Sequence, residues 1–172
     1  GVITDRVRGE IQRLALANPE KVFVVDSRER ARMFQDVILK TNLSEAMKAR
    51  GITEQCLADS PAEIYACCQE LYSRTHKPIV ITRGEKGIIL FASPDSSMVE
   101  IPAVPVKGPI DIVGAGDSVL SSIGASLCAG ADLEEAALIG NLAASIVVQQ
   151  IGTTGTASRA QIIERFRESG LH

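Results

Sequence analysis

A glycine-rich turn with the sequence GAGD, at residues 114–117, precedes a segment whose pattern predicts a helix. Glycines let backbone N–H groups approach an anion closely, and the positive end of the helix dipole favours negative charge at the same place. Asp117 in such a turn suits two roles. It can cap the helix, or it can act as a base that accepts a proton from a hydroxyl group beside a bound phosphate. The turn by itself leaves both roles open.

A second pair of polar residues, Asn42 and Glu45, follows a predicted strand. Their spacing is that of a capping box, in which each side chain bonds the backbone N–H of the other residue. The same amide and carboxylate oxygens are suited to organise Mg²⁺ and its water ligands near phosphates. These two interpretations are compatible with each other.

A third polar stretch, TRGEKG at residues 82–87, lies between two predicted strands. Glycines at this spacing are common in the turn of a β-hairpin. A threonine hydroxyl and glycine N–H groups at the carboxyl end of a strand also lie where open α/β sheets bind ligands. The stretch is therefore either a simple turn or a phosphate-binding loop.

The elements that must position these residues alternate between strands and helices, which is typical of a layered α/β domain with a mostly parallel sheet. The apolar spacing predicts helices at 5–17, 43–50, 60–74, 115–129, 132–150 and 158–170. Strands are predicted at 22–26, 37–40, 77–82, 87–92 and 98–106. The first of these strands is a continuous apolar run and is expected to be buried on both faces, whereas the prolines of the last place it at an edge or in a loop.

Helix starts beyond Asn42 also carry capping-box spacing. The predicted boxes pair Ser60 with Glu63, Asp132 with Glu135, and Ser158 with Gln161.

Composition restricts the class of protein. A chain of 172 residues with 45% hydrophobic residues suits one globular domain, and a net charge of −3 gives no basic face for nucleic acid or an anionic membrane. No apolar run approaches the roughly 20 residues of a membrane helix, and the N-terminus lacks a signal pattern. We expect a cytoplasmic protein without nucleic-acid or membrane partners.

The four cysteines, at 56, 67, 68 and 128, are expected to be reduced thiols.

Together these stretches resemble the motifs of the ribokinase-like (PfkB) family of carbohydrate and nucleoside kinases. The GAGD turn is similar to the anion hole and catalytic aspartate of that family, which would comprise Gly114, Ala115, Gly116 and Asp117. Asn42 and Glu45 match its N-x-x-E motif, which is associated with Mg²⁺ and phosphate positioning. The resemblance implies nucleotide contacts from Asn42, Thr82, Arg83, Gly84, Gly87, Gly116 and Asn141, the last near the adenine.

The family resemblance also implies a fold and cofactors. The fold is a ribokinase-like, three-layer α/β/α arrangement with a mostly parallel sheet, and the cofactors are ATP and Mg²⁺. Many members also bind a monovalent cation such as K⁺ next to the anion hole. The corresponding positions here are Asp111, Val113, Val147, Gln150, Gly152 and Thr156. The chain departs from the family at Ile112, where a threonine is frequent, but the donors of the anion hole are backbone N–H groups that do not need that hydroxyl.

The implied activity is transfer of a phosphoryl group from ATP to a hydroxyl of a sugar or sugar phosphate. The stretches DSRER, LKTNLSEA and GNLAASIVVQQIGTTG resemble most the bacterial heptose-phosphate and sugar kinases.

The resemblance covers essentially all of residues 1–172, which correspond to the C-terminal, nucleotide-binding and catalytic part of a family member. The first strands of the sheet and the β-lid that closes over the substrate are expected to lie outside this chain. The resulting open sheet edge predicts association, either as a homo-oligomer or with that N-terminal part. The alternative is a nucleotide-binding module without activity of its own, since the acceptor would not be positioned.

Overall fold

The computed structural model describes residues 3–27, 30–52 and 60–170. The chain divides into two compact units. Unit 1 comprises Gly1–Thr82 and Ile89–Val99, and unit 2 comprises Arg83–Ile88 and Glu100–His172.

The helices and strands agree with the predicted elements to within three residues at each end, except that the last predicted strand, 98–106, is observed only over Val99–Ile101. The helices are α1 (Asp5–Ala17), α2 (Leu43–Ala49), α3 (Pro61–Thr75), α4 (Ala115–Cys128), α5 (Leu133–Val147) and α6 (Arg159–Ser169). The strands are β1 (Val24–Asp26), β2 (Ile38–Asn42), β3 (Ile79–Thr82), β4 (Ile88–Phe91) and β5 (Val99–Ile101). Short 3₁₀ turns occur at Ala31–Met33 and Gly84–Lys86.

The five strands form a sheet in the order β1-β2-β3-β4-β5. The pairs β1–β2 and β2–β3 are parallel, which agrees with the predicted mostly parallel sheet. The register aligns Asn42 with Thr82. Asn42 and Thr82 therefore meet at the carboxyl ends of neighbouring strands.

The prediction that the first strand is buried on both faces is wrong. β1 begins at Val24 and is half-buried along its whole length. Among the strands that the structure describes, it is an outer strand of the sheet and pairs with β2. Outer strands are less covered than central ones, so an apolar sequence alone does not guarantee full burial.

The core of unit 1 lies where α2 and α3 pack against the sheet. Its members include Leu39 and Ile81 from the strands and Cys67, Cys68 and Leu71 from α3. Burial raises the pKa of the Cys67 thiol to about 11 and that of Cys68 to about 12, so both remain protonated thiols at neutral pH.

The prediction of reduced thiols is confirmed for the cysteines that the structure describes. Cys67, Cys68 and Cys128 are free, whereas Cys56 lies outside the described residues.

Unit 2 is organised around α5, most of whose residues are buried. It packs closely on α4 because Gly140 has no side chain. A Cβ at Gly140 would lie 3.3 Å from Cγ1 of Val119 and 3.5 Å from Cγ1 of Ile123. On α6, Arg165 donates to the backbone oxygen of Ser145 at 3.3 Å, which joins α6 to α5.

Two of the three further predicted capping boxes form, at Asp132 with Glu135 and at Ser158 with Gln161. The third does not, although α3 begins where predicted, with proline at its first position. Ser60 makes no side-chain cap, and the Glu63 carboxylate instead accepts a hydrogen bond from Nη1 of Arg50 at 3.0 Å. A competing ion pair has therefore replaced the box.

Within the described ranges, no helix combines the length and the apolar character that crossing a membrane requires.

Candidate functional site

The structure holds the predicted site residues in two groups, one in each unit. Unit 1 contains Asn42, Glu45 and Thr82, and unit 2 contains the GAGD turn, the loop from Arg83 to Gly87, and the segments around Asp111, Asn141 and Gln150.

The GAGD turn forms the start of α4. Gly114 has φ +82°, a left-handed conformation that other residues rarely adopt, and it provides no side-chain cap for the helix. The N–H of Ala115 donates to the oxygen of Ile112 at 3.2 Å, and that of Ser118 donates to Gly114 at 2.9 Å. The N–H groups of residues 116 and 117 lie between these, in the first turn, where helix geometry supplies no preceding carbonyl partner.

Asp117 is exposed in this first turn. Because the N-terminal end of a helix carries partial positive charge, the turn combines donors for an anion with a carboxylate that solvent or a ligand can reach. The arrangement is therefore chemically suited to hold an anion beside a base.

Asp111 ties the segment before α4 to the segment after α5. Its Oδ1 accepts the N–H of Val113 at 3.0 Å, and its Oδ2 accepts the N–H of Gly152 at 3.1 Å. Its own N–H donates to the oxygen of Val148 at 2.7 Å. The hydrogen bonds from Val113 and then Gly152 hold the pKa of the Asp111 carboxyl below its usual range. The carboxylate is thus a link between two loops in this structure.

The remaining residues of the predicted monovalent-cation set lie in the same part of unit 2. Gln150 bonds the backbone of Thr156 twice, from Nε2 to its oxygen at 2.7 Å and through Oε1 to its N–H at 3.1 Å. The oxygen of Val147 accepts the N–H of Gln150 at 3.0 Å. Carbonyl oxygens and one carboxylate are hard donors of the kind that an alkali cation takes, so the residues present fit such an ion. A cation bound to Asp111 would share oxygens that already accept backbone N–H groups.

The loop from Arg83 to Gly87, here called the nucleotide loop, is a tight turn between β3 and β4. The N–H of Arg83 donates to the oxygen of Gly87 at 2.7 Å. Gly87 has φ +87°, and a Cβ there would lie 2.1 Å from the oxygen of Ile101. Gly84 also has a positive φ, of +58°, but open space surrounds it. Gly87 is therefore required by close packing, whereas Gly84 leaves the outer side of the turn accessible.

Arg83 is almost fully buried, with 9% of its side chain exposed. Its Nη2 donates to the Glu100 carboxylate at 2.7 Å, while its Nε is buried without a hydrogen-bond partner. An unpartnered buried donor is unusual in a folded protein, but the Nε of Arg32, outside the predicted site, is unpartnered in the same way. Because the Arg83 Nε is sealed from solvent in this structure, the nucleotide contact of Arg83 stays a prediction.

Asn141 is buried in the middle of α5, with 7% exposure. Its Nδ2 donates to the oxygens of Ile101 at 3.2 Å and Pro102 at 3.0 Å. Both amide hydrogens are therefore used within the protein, and the side-chain oxygen remains for any contact with an adenine ring.

The Asn42–Glu45 pair forms a complete capping box at the start of α2, which confirms the structural interpretation of this motif. Oδ1 of Asn42 accepts the N–H of Glu45 at 2.8 Å, and Oε2 of Glu45 accepts the N–H of Asn42 at 3.3 Å. Thr82 lies next to this turn, because its hydroxyl donates to the oxygen of Thr41 at 3.4 Å. The structure thus brings Asn42, Glu45 and Thr82 together.

The same pair has the oxygen donors that Mg²⁺ prefers, but capping already uses an oxygen of each side chain. Among the residues that the structure describes, no three His, Cys, Asp or Glu side chains cluster as metal ligands. A contact to Mg²⁺ through its water ligands fits this geometry better than direct ligation.

Sequence reasoning missed the ion pair between Lys40 and Asp26. Nζ of Lys40 lies 2.6 Å from Oδ2 of Asp26, and the two residues are register partners on β2 and β1. Only 4% of the Lys40 side chain is exposed. The signal was a lysine within the apolar run VILKTN, because a buried charge requires a partner.

Residues 15–160 match the family described as pfkB family carbohydrate kinase. The bifunctional protein HldE of Shewanella sp. (strain W3-18-1) is 34% identical over 171 residues, which cover 95% of this chain and 34% of that protein. HldE of Caulobacter vibrioides is 34% identical over 173 residues, which cover 94% of this chain and 34% of that protein. The chain therefore spans 34% of the length of these curated relatives.

Solved structures share the fold. Ribokinase from Giardia lamblia superposes with a TM-score of 0.78 at 19% identity, over 94% of this chain and 54% of the ribokinase. Arabidopsis thaliana ribokinase complexed with ribose and ATP superposes with a TM-score of 0.75 at 20% identity, over 93% of this chain and 53% of the ribokinase. Phosphofructokinase-2 from Escherichia coli in complex with potassium superposes with a TM-score of 0.74 at 22% identity, over 94% of this chain and 52% of that protein. The predicted ribokinase-like α/β fold is confirmed.

Proposed function

The chain belongs to the pfkB family of carbohydrate kinases, and from this premise we propose that it carries the nucleotide-binding and catalytic part of such a kinase. The proposed reaction transfers the γ-phosphoryl group of ATP to a hydroxyl of a sugar or sugar phosphate. The observation that carries the proposal is the start of α4, where a left-handed glycine leaves the helix without a side-chain cap and Asp117 is exposed in the first turn.

Asp117 is proposed as the base. An exposed carboxylate in the first turn can accept the proton of the attacking hydroxyl as the new bond to phosphorus forms. A position beside backbone N–H groups suits this role, because the acceptor oxygen and the phosphoryl group must meet at one place.

The N–H groups of Gly114, Ala115, Gly116 and Asp117 are proposed to hold the negative charge that develops on the phosphoryl oxygens. The N–H of Ala115 would share its proton with the oxygen of Ile112, which it bonds at 3.2 Å. Fixed backbone donors stabilise such charge without having to reorient during the reaction. The substitution of Ile112 for the frequent threonine does not remove any of these donors, since they all belong to the main chain.

Nucleotide binding is proposed for the nucleotide loop and for residues outside it. The open outer side of Gly84 supports this assignment. The full set comprises Asn42, Thr82, Arg83, Gly84, Gly87, Gly116 and Asn141.

The proposed cofactors besides ATP are Mg²⁺ and a monovalent cation. Mg²⁺, when bound, offsets the charge of the phosphates, and Asn42 and Glu45 would hold its water ligands. A monovalent cation such as K⁺ would be held by Asp111, Val113, Val147, Gln150, Gly152 and Thr156. In this structure Asp111 orders the loop before α4 through its own hydrogen bonds.

A second candidate function is nucleotide binding without phosphoryl transfer. It is favoured by the length comparison, since the chain spans 34% of the HldE sequence and 54% of Giardia lamblia ribokinase. Much of the rate of such enzymes comes from positioning the acceptor and excluding water, and that needs surfaces on all sides of the substrate.

Titration calorimetry of the chain with ATP and Mg²⁺ tests the binding step. An assay of ADP release with a panel of sugars and sugar phosphates, heptose phosphates included, then tests the transfer step. Binding together with sugar-dependent ADP release supports the kinase. Binding without transfer supports the second function, and failure to bind ATP contradicts both.

A further inference from the structure

The nucleotide loop rests directly on the backbone that follows β5. A Cβ at Gly87 would lie 2.1 Å from the oxygen of Ile101, 2.8 Å from the carbonyl carbon of Pro102 and 2.6 Å from the nitrogen of Ala103. The backbone of residues 101–103, here called the loop support, therefore packs against the end of this loop. A shift of the loop support must move Gly87.

Asn141 holds the same support from α5. Its Nδ2 donates to the oxygens of Ile101 and Pro102, the first two residues that Gly87 contacts. The amide is buried, so its two hydrogen bonds face little competition from water. The segment 101–103 is thus fixed between α5 and the nucleotide loop.

The same helix is joined to the GAGD turn. Gly140, the neighbour of Asn141, allows α5 to contact Val119 and Ile123 on α4. Just beyond α5, Val148 accepts the N–H of Asp111, and the Gly152 N–H donates to the Asp111 carboxylate. Helix α5 therefore contacts the backbone beneath the nucleotide loop through Asn141, and its C-terminal end bonds the segment that precedes the GAGD turn.

We propose that Asn141 is a positioning residue for the nucleotide loop. Its amide holds segment 101–103 against Gly87, and α5 thereby sets the place of this loop relative to the start of α4. The consequence for nucleotide binding rests on the proposed function, whereas the consequence for the order of the loop does not. Loss of an adenine contact alone would weaken the binding of ATP but not that of tripolyphosphate, so the two roles are separable.

Asn141→Asp and Asn141→Ala remove the donors in different ways. Aspartate keeps the shape but turns an acceptor toward two carbonyl oxygens, while alanine removes the donors without adding charge. The milder alanine variant provides the test if the aspartate variant does not fold. Ser145→Ala is the matched control, because Ser145 is also buried on α5 but bonds Leu142 and Arg165.

Hydrogen–deuterium exchange of the chain without nucleotide is the first measurement. Removing buried donors leaves carbonyls unsatisfied, so we expect amide exchange in 83–87 and 101–103 to accelerate about tenfold or more. The rest of unit 2 and the Ser145→Ala control should keep the wild-type rates at these segments. Wild-type exchange at 83–87 in a folded Asn141→Ala variant would overturn the proposal.

Binding of ATP and of inorganic tripolyphosphate is the second measurement. A displaced loop weakens both ligands by the same factor, whereas a lost adenine contact weakens ATP alone. A loss of affinity for both ligands supports positioning, a further loss for ATP adds the adenine contact, and a loss confined to ATP contradicts positioning. If the wild-type chain does not bind ATP, the proposed function fails while the exchange result still decides the inference.

Discussion

Helices α2 and α4 both begin at a predicted functional motif, yet they begin in opposite ways. The start of α2 is closed, because Asn42 and Glu45 satisfy each other's backbone N–H groups. The start of α4 is open, because Gly114 supplies no side-chain cap. Helices α5 and α6 are closed by boxes like that of α2. Helix α3 also lacks a side-chain cap, so a missing cap alone does not indicate a ligand. What sets the start of α4 apart is its left-handed glycine together with an exposed carboxylate in the first turn, and this combination supports the proposed anion site.

The largest expected effect is that of Asp117→Asn on phosphoryl transfer. The change keeps the size of the side chain and removes its basicity, so the rate of phosphoryl transfer should fall by about 10²–10⁴. ATP affinity and thermal stability should change little, because the side chain is exposed. Steady-state kinetics and calorimetry measure the two quantities.

Glu134→Gln is the matched control, since Glu134 is an exposed acid in the first turn of the closed helix α5. It should leave the transfer rate unchanged. If Asp117→Asn kept most of the wild-type rate, Asp117 would lose its role as the base.

Gly114→Ala adds a Cβ at a left-handed position, 3.0 Å from Cγ2 of Thr154. The free energy of unfolding should fall by about 1–2 kcal/mol. ATP affinity should also fall, because the strain displaces the first-turn N–H groups of α4. Denaturant unfolding and calorimetry provide the measurements.

Gly124→Ala is the control for this change, because Gly124 lies within the same helix and nothing surrounds its Cβ position within 4 Å. Alanine there should stabilise the chain by about 0.5–1 kcal/mol. Equal stability of the two variants would show that the left-handed turn carries no constraint.

Asn42→Ala should produce the smallest effect, since it opens the closed start of α2. The loss of the cap should cost about 1 kcal/mol and lower the melting temperature by about 2–4 °C. ATP affinity measured without Mg²⁺ should also fall, because Asn42 is one of the proposed nucleotide contacts. Asn42→Asp keeps the acceptor oxygen and should retain the wild-type melting temperature, while unchanged ATP affinity in both variants would remove Asn42 from the nucleotide contacts.

The sequence predicted the starts and ends of helices correctly where a short local pattern determines them. The ends of α1 at Asn18 and of α6 at Gly170, and the boxes of α5 and α6, follow from short-range rules and are confirmed. The Ser60 box was wrong because Glu63 instead pairs with Arg50, far along the chain.

The site was predictable as motifs but not as contacts. Nothing in the spacing of Asp111 indicated that its carboxylate would accept the N–H of Gly152. Likewise, the bonds of Asn141 to Ile101 and Pro102 depend on how α5 packs, which no local pattern encodes. The roles of both residues in binding stay predictions.

An NMR titration of the isotopically labelled chain with ATP and Mg²⁺ tests the open start of α4 most directly. We expect the amide resonances of Gly116 and Asp117 to shift with the binding curve, because their N–H groups gain an anionic partner. The Glu134 amide at the closed start of α5 should not shift. Saturable ATP binding with unshifted resonances at 116 and 117 would show that the start of α4 does not hold the nucleotide.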